Sequence, residues 1–176
     1  MKRGLLVFSC LFFFASAYTQ TWAKVTLGNK LTVYFPQQPS LENTPVGPQA
    51  QYMDEDSTRY TVLIMDLSKD GIDSATLNAQ MREGFEDFAK EIAQQGGVTV
   101  DRVGKSLWHT NYPVAEISGK NETRDVELRM ILMGSDIVII AYSSLPAKNL
   151  TVNRNKFFQS IAYTYNPMKM VSIEAR

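Results

Sequence analysis

One histidine, His109, and one cysteine, Cys10, are all the chain has of the two commonest catalytic side chains. A general base or metal ligand needs partners within hydrogen-bond reach, and His109 must borrow them from carboxylates such as Asp101 or Glu116. It sits in Trp108-His109-Thr110-Asn111-Tyr112-Pro113, a run of aromatic and turn-forming residues. That context reads as a loop or strand-end histidine beside a packed Trp108. No Gly-x-Ser-x-Gly elbow exposes a serine nucleophile. Gly96-Gly97 has no following Lys-Ser or Lys-Thr, so it makes no phosphate loop. The chain is expected not to be an enzyme, and no cofactor is implied.

Two acidic clusters invite a cation. Asp66-Leu67-Ser68-Lys69-Asp70-Gly71 echoes the opening of a calcium loop, but its twelfth position is Leu77, where a bidentate glutamate is required. A strand-to-helix turn with Asp73 as cap explains it better. Asp54, Glu55 and Asp56 crowd one turn, and three neighbouring carboxylates rarely converge on one ion. A solvated hairpin tip is the plainer account, and no metal is expected. Asn121-Glu122-Thr123 and Asn149-Leu150-Thr151 fit the glycosylation acceptor pattern, which matters only in a eukaryotic source.

The elements that must position these residues are legible in part. Residues 25–27 and 31–35 alternate as two short strands turned at Gly28-Asn29. Four prolines (Pro36, Pro39, Pro45, Pro48) then mark residues 36–48 as a long surface loop. Residues 49–53 and 59–67 form a hairpin around 54–57, and 61–65 is apolar on both faces, as in a covered central strand. Leu77, Met81, Phe85, Phe88 and Ile92 step by 4, 4, 3 and 4 along one helical stripe. Asp73 or Ser74 caps its start, and Gly96-Gly97 stops it. Val98, Val100 and Val103 begin another strand, and 114–118 form the next. Residues 123–133 and 137–142 make a hairpin about Gly134-Ser135. Leu150, Arg154, Phe157, Phe158 and Ile161 suggest a last helix, with Thr151 near its start.

Residues 1–23 read as a secretory signal peptide. Lys2 and Arg3 precede an apolar run over 5–14 broken only by Ser9, and then comes Ala15-Ser16-Ala17. Cleavage falls after Ala17, or after Ala23 in Thr21-Trp22-Ala23. The run is shorter than the roughly 20 residues a membrane span needs. Val7-Phe8-Ser9-Cys10 only faintly resembles a lipoprotein box. Removing the leader takes Cys10 away and leaves 16 basic against 18 acidic residues. So balanced a domain lacks the basic excess that nucleic acid demands. Residues 24–163 suit one domain, and 164–176 form a tail without sustained period.

Strands, a long helix, antiparallel strands and a closing helix describe an α+β sandwich: an antiparallel β-sheet flanked by a long central helix and a C-terminal helix. On the segments Leu31-Thr32-Val33-Tyr34-Phe35-Pro36 and Tyr112-Pro113-Val114-Ala115-Glu116-Ile117, the helix over 77–92, the hairpin of 129–133 with 137–142, and Phe157-Phe158-Gln159-Ser160-Ile161, the chain resembles the PsbP/Mog-type fold. That fold includes the periplasmic DcrB-like proteins. The chain lacks the aromatic-rich opening of the photosynthetic members, which argues against a photosystem role. The resemblance implies a secreted or periplasmic, non-catalytic accessory protein that binds another protein or an envelope component. Tyr34, Trp108, His109 and Tyr112 would form its interaction surface, since aromatic residues suit interfaces. The alternative is a small-ligand or metal-ion carrier with its site between helix and sheet. A closed pocket with inward polar groups would favour the carrier, and an open apolar patch the binding protein.

Overall fold

A computed structural model describes residues 21–67, 74–109, 111–146 and 151–163, with side chains of the long helix from residue 83 onward. The leader before residue 21, Asp70, Asp73, Asn149 and the tail lie outside the described residues. Among the described residues ten strands and two helices follow one another: β1 (Ala23–Leu27), β2 (Leu31–Phe35), β3 (Ser40–Thr44), β4 (Gly47–Met53), β5 (Arg59–Asp66), α1 (Ser74–Gln95), β6 (Thr99–Trp108), β7 (Tyr112–Asn121), β8 (Arg124–Met133), β9 (Asp136–Ser144), α2 (Thr151–Gln159) and β10 (Ala162–Tyr163). Seven strands build an antiparallel sheet in the order β3-β4-β5-β9-β8-β7-β6, and β1-β2-β10 form a small second sheet.

The large sheet is covered on both faces, because its strands alternate between two sets of apolar side chains. On one face Phe85, Ala89 and Ala93 of α1 pack on Ala115, Ile117, Leu128, Met130, Leu132 and Ile137. The buried stripe includes two alanines, so α1 approaches the sheet closely. Its end is a Schellman motif: Gly97 takes φ of 77°, Gly97 N–H bonds Gln94 O at 2.9 Å, and Val98 N–H bonds Ala93 O at 3.0 Å. On the other face the small sheet and α2 lie side by side, enclosing Leu31, Val33, Phe35, Tyr60, Val62, Ile64, Val138, Ile140, Tyr142 and Phe157.

Two expectations change. Residues 36–48 are not a loop, because Ser40–Thr44 pairs with Gly47–Met53 in register from Thr44↔Gly47 to Ser40↔Gln51. Thr44-Pro45-Val46-Gly47 supplies proline and glycine at the second and fourth turn positions. The strand expected over 114–118 runs from Tyr112 through Pro113 to Asn121, and its partner β6 extends to Trp108. Pro113 is tolerated near the strand start, since its missing N–H falls at the end of the ladder.

Tyr60 is the centre of the aromatic core, edge-on to Tyr142 at 5.4 Å, to Phe157 at 5.2 Å and to Trp22 at 6.5 Å. Burial pushes its hydroxyl far above the ordinary value of 10, and the neighbouring Tyr142 and Asp54 add to the rise; the nearby Asn153 side chain opposes it. The folded chain therefore keeps a proton that the unfolded chain releases near pH 10, so rising pH favours unfolding. The stability tied to Tyr60 is whole below pH 10 and is lost above it. Urea midpoints are expected to fall steeply from pH 10 upward, and less steeply in Tyr60→Phe; equal slopes would contradict this.

Candidate functional site

The outer strands β6, β7 and β8 extend beyond the edge of α2, and this leaves a groove along the helix flank. One face of β8 carries Asp125, Glu127, Arg129, Ile131 and Met133 in alternation. Ile131 and Met133 are buried, whereas Glu127 and Arg129 line the groove. The polar part encloses about 410 Å³ between Arg102, Glu116, Ser118, Glu127, Arg154 and Phe158. A contiguous part of about 180 Å³, of mixed lining, runs past Glu116 and Arg129 to Trp108, Val114, Ile131, Ile161 and Phe158.

Ion pairs fix the walls. Arg154 Nη1 donates to Glu127 Oε1 at 2.6 Å, tying α2 to β8. Arg129 Nε meets Glu116 Oε1 at 3.1 Å, and its guanidinium lies 4.8 Å from the centre of the Phe158 ring. Each pair is partly exposed and contributes at most about 1 kcal/mol. Their larger effect is to hold Arg129 flat on an aromatic floor, where cation–π attraction also acts.

The four aromatic and imidazole residues expected to form a surface do not come together. Trp108, His109 and Tyr112 share the tip of the β6–β7 hairpin, with Trp108 4.2 Å from the His109 ring and 6.0 Å from that of Tyr112. Trp108 also lines the mixed end of the groove. Tyr34 is on the far side of α2, in an open hollow with Trp22, Lys156, Gln159 and Ser160. There Ser160 Oγ accepts the Tyr34 N–H at 3.1 Å, and Lys156 lies 4.4 Å from the Trp22 ring centre.

His109 is exposed in a turn at φ of 48°. Asp101 lies seven residues down β6 from Trp108, roughly 23 Å at about 3.3 Å per residue, and Glu116 is held by Arg129.

In the first acidic cluster one carboxylate serves the backbone. Asp54 Oδ1 accepts the Thr58 N–H at 2.7 Å and closes the β4–β5 turn. Asp66 stands opposite Asp136, whose Oδ2 receives Lys30 at 2.7 Å and Tyr163 at 3.0 Å. Among the described residues no three His, Cys, Asp or Glu side chains could hold a metal ion. Asn121 Nδ2 donates to Gly96 O at 3.4 Å beside the α1 cap. Among the described residues, no helix is long and apolar enough to cross a membrane.

No protein-family model matches the chain, and no curated protein sequence does. Among solved structures it is similar to cyanobacterial PsbP (CyanoP) of Synechocystis sp. PCC 6803, with a TM-score of 0.53 and 10% identity over 85% of this chain and 96% of that one. A Pseudomonas aeruginosa protein of unknown function, described as a putative regulator, gives a TM-score of 0.35 and 16% identity over 78% of this chain and 92% of its own. At such identities the likeness is one of fold: this chain is built as a PsbP-like sandwich.

Proposed function

We propose that the chain is an exported, non-catalytic accessory protein that docks an envelope protein in the groove between α2 and β6–β8. The observation that carries this is the groove itself. It lies open along exposed β6, its carboxylates are neutralised by Arg129 and Arg154, and its lining grades from polar to mixed toward Trp108. A small-ligand carrier needs an enclosing pocket, which an open channel of this shape does not supply. The test is crosslinking in cells of the source, followed by affinity capture of the wild-type protein and of Arg129→Glu. One dominant envelope protein, recovered by the wild type and lost from the variant, supports the proposal. Equal recovery overturns it.

Export would also fix the mature terminus. Cleavage after Ala23 would strip Trp22 from Tyr60 and Lys156 and leave β1 beginning at its second residue. Cleavage after Ala17 retains both contacts. Intact mass of the exported protein is expected to place Tyr18 first; a chain beginning at Lys24 would contradict this.

A further inference from the structure

We infer that the partner enters as an extended segment that adds to β6 as an eighth strand, setting a carboxylate against Arg102 and an apolar side chain beside Trp108. This rests on the groove-docking proposal and specifies what occupies the groove. Three features of β6 point to it.

First, β6 ends the large sheet and is ten residues long, so one row of its backbone N–H and C=O groups has no strand to pair with among the described residues. Extended peptides add to such edges through main-chain bonds and gain specificity from alternate side chains. The opposite edge, β3, is half as long and offers Glu42 but no cation.

Second, a bulge between Val100 and Arg102 breaks the register. The regular stretch is therefore residues 102–108, about 20 Å of strand. Bulges commonly terminate pairing at an edge, and this one marks where an added strand would stop.

Third, the charges are unequally satisfied. Lys105 turns to the α1 side and meets Glu86 at 3.2 Å, while Arg129 and Arg154 hold Glu116 and Glu127. Arg102 lines the groove without an ion pair among the described residues. It shares its face with Gly104, Ser106 and Trp108, by alternation. At Gly104 a side chain would meet only Glu116 within 4 Å, so an incoming residue has room to lean over the Glu116–Arg129 pair. A strand laid beside β6 places its side chains about 5 Å from their β6 neighbours, within reach of the Arg102 guanidinium.

The experiment pans a displayed library of random 12-residue peptides on the exported protein. The selected peptide is then used in amide hydrogen exchange and titration. Selected sequences are expected to carry Asp or Glu six positions from an aromatic or aliphatic residue. Alternate amides of 102–108 should exchange at least about tenfold more slowly in the complex, and Arg102→Glu should weaken binding by about tenfold or more. A peptide that binds with β6 exchange unchanged, or equally well to Arg102→Glu, overturns the inference while leaving groove docking intact. So does failure to select any peptide when the partner is still captured through Arg129. Equal capture by the wild type and Arg129→Glu overturns the docking proposal itself. A concentration-dependent dimer protecting the same amides identifies a second copy as the occupant, and also overturns the inference.

Discussion

Phe157→Ala is expected to cost about 3–5 kcal/mol, the range for truncating a buried phenylalanine. Phe157 is fully buried and touches three aromatic neighbours, with ring centres 5.4 Å from Phe35, 5.2 Å from Tyr60 and 5.9 Å from Phe158. The helix that carries it has only nine residues, too few for a helix to persist in water without tertiary packing. Phe157 and Phe158 are its two buried residues. Removing the first therefore empties the core below α2 and loosens the wall of the groove above it. A domain of this size is stable by about 5–15 kcal/mol, so the variant loses a large share. Val152, on the same helix and 79% exposed, provides the control. Its alanine variant should stay within about 0.5 kcal/mol of wild type in urea denaturation. Equal small losses for both would mean that α2 does not rest on Phe157.

Arg129→Glu should reduce partner recovery by tenfold or more while costing the fold only about 1–2 kcal/mol. The substitution removes an ion pair whose side chains are each 37% exposed, so solvent already screens it. It also removes the cation over Phe158. In their place stands a third carboxylate beside Glu116 and Glu127, one cross-strand neighbour and one two residues along the same face. Like charges directly opposite in a sheet destabilise it modestly. In a groove meeting an acidic segment the same reversal acts on the partner directly, and the effect on binding is larger than on folding. Denaturation midpoints and captured partner, measured on one preparation, separate the two. A collapse of stability with unchanged capture per folded molecule would contradict the expectation.

Periodicity made most of the frame legible. The 4-4-3-4 spacing over 77–92 predicts α1, alternation predicts β2 and β8, and the apolar runs of 61–65 and 137–142 predict β5 and β9. Strand β3 was hidden because Ser40–Thr44 is an edge strand exposed along most of its length, with no apolar alternation to betray it. Thr44-Pro45-Val46-Gly47 held a turn signal, yet its prolines read as loop. At Gly47, φ is 151° and a Cβ would lie 1.9 Å from Ile64 O, a demand set by a distant strand rather than by local pattern. The short β10 has only two residues and owes its place to β2.

The groove was less legible than the frame, for a physical reason. Its ion pairs join residues 13 and 27 apart in sequence, which only the sheet register and the seating of α2 bring together. One signal was present. On the second face of β8, Glu127 and Arg129 give way to Ile131 and Met133, which marks a strand covered at one end and open at the other. Tyr34 and Trp108 read alike as aromatic surface residues, yet α2 stands between them.

Site-specific photocrosslinking tests groove docking most directly. A photoreactive residue is placed at Ser106 or Asn155, which line the groove, and in separate variants at Glu83 or Lys90, exposed on α1. One dominant crosslinked partner is expected from the groove positions and none from α1. The same partner from α1 alone, or from both faces equally, would contradict it.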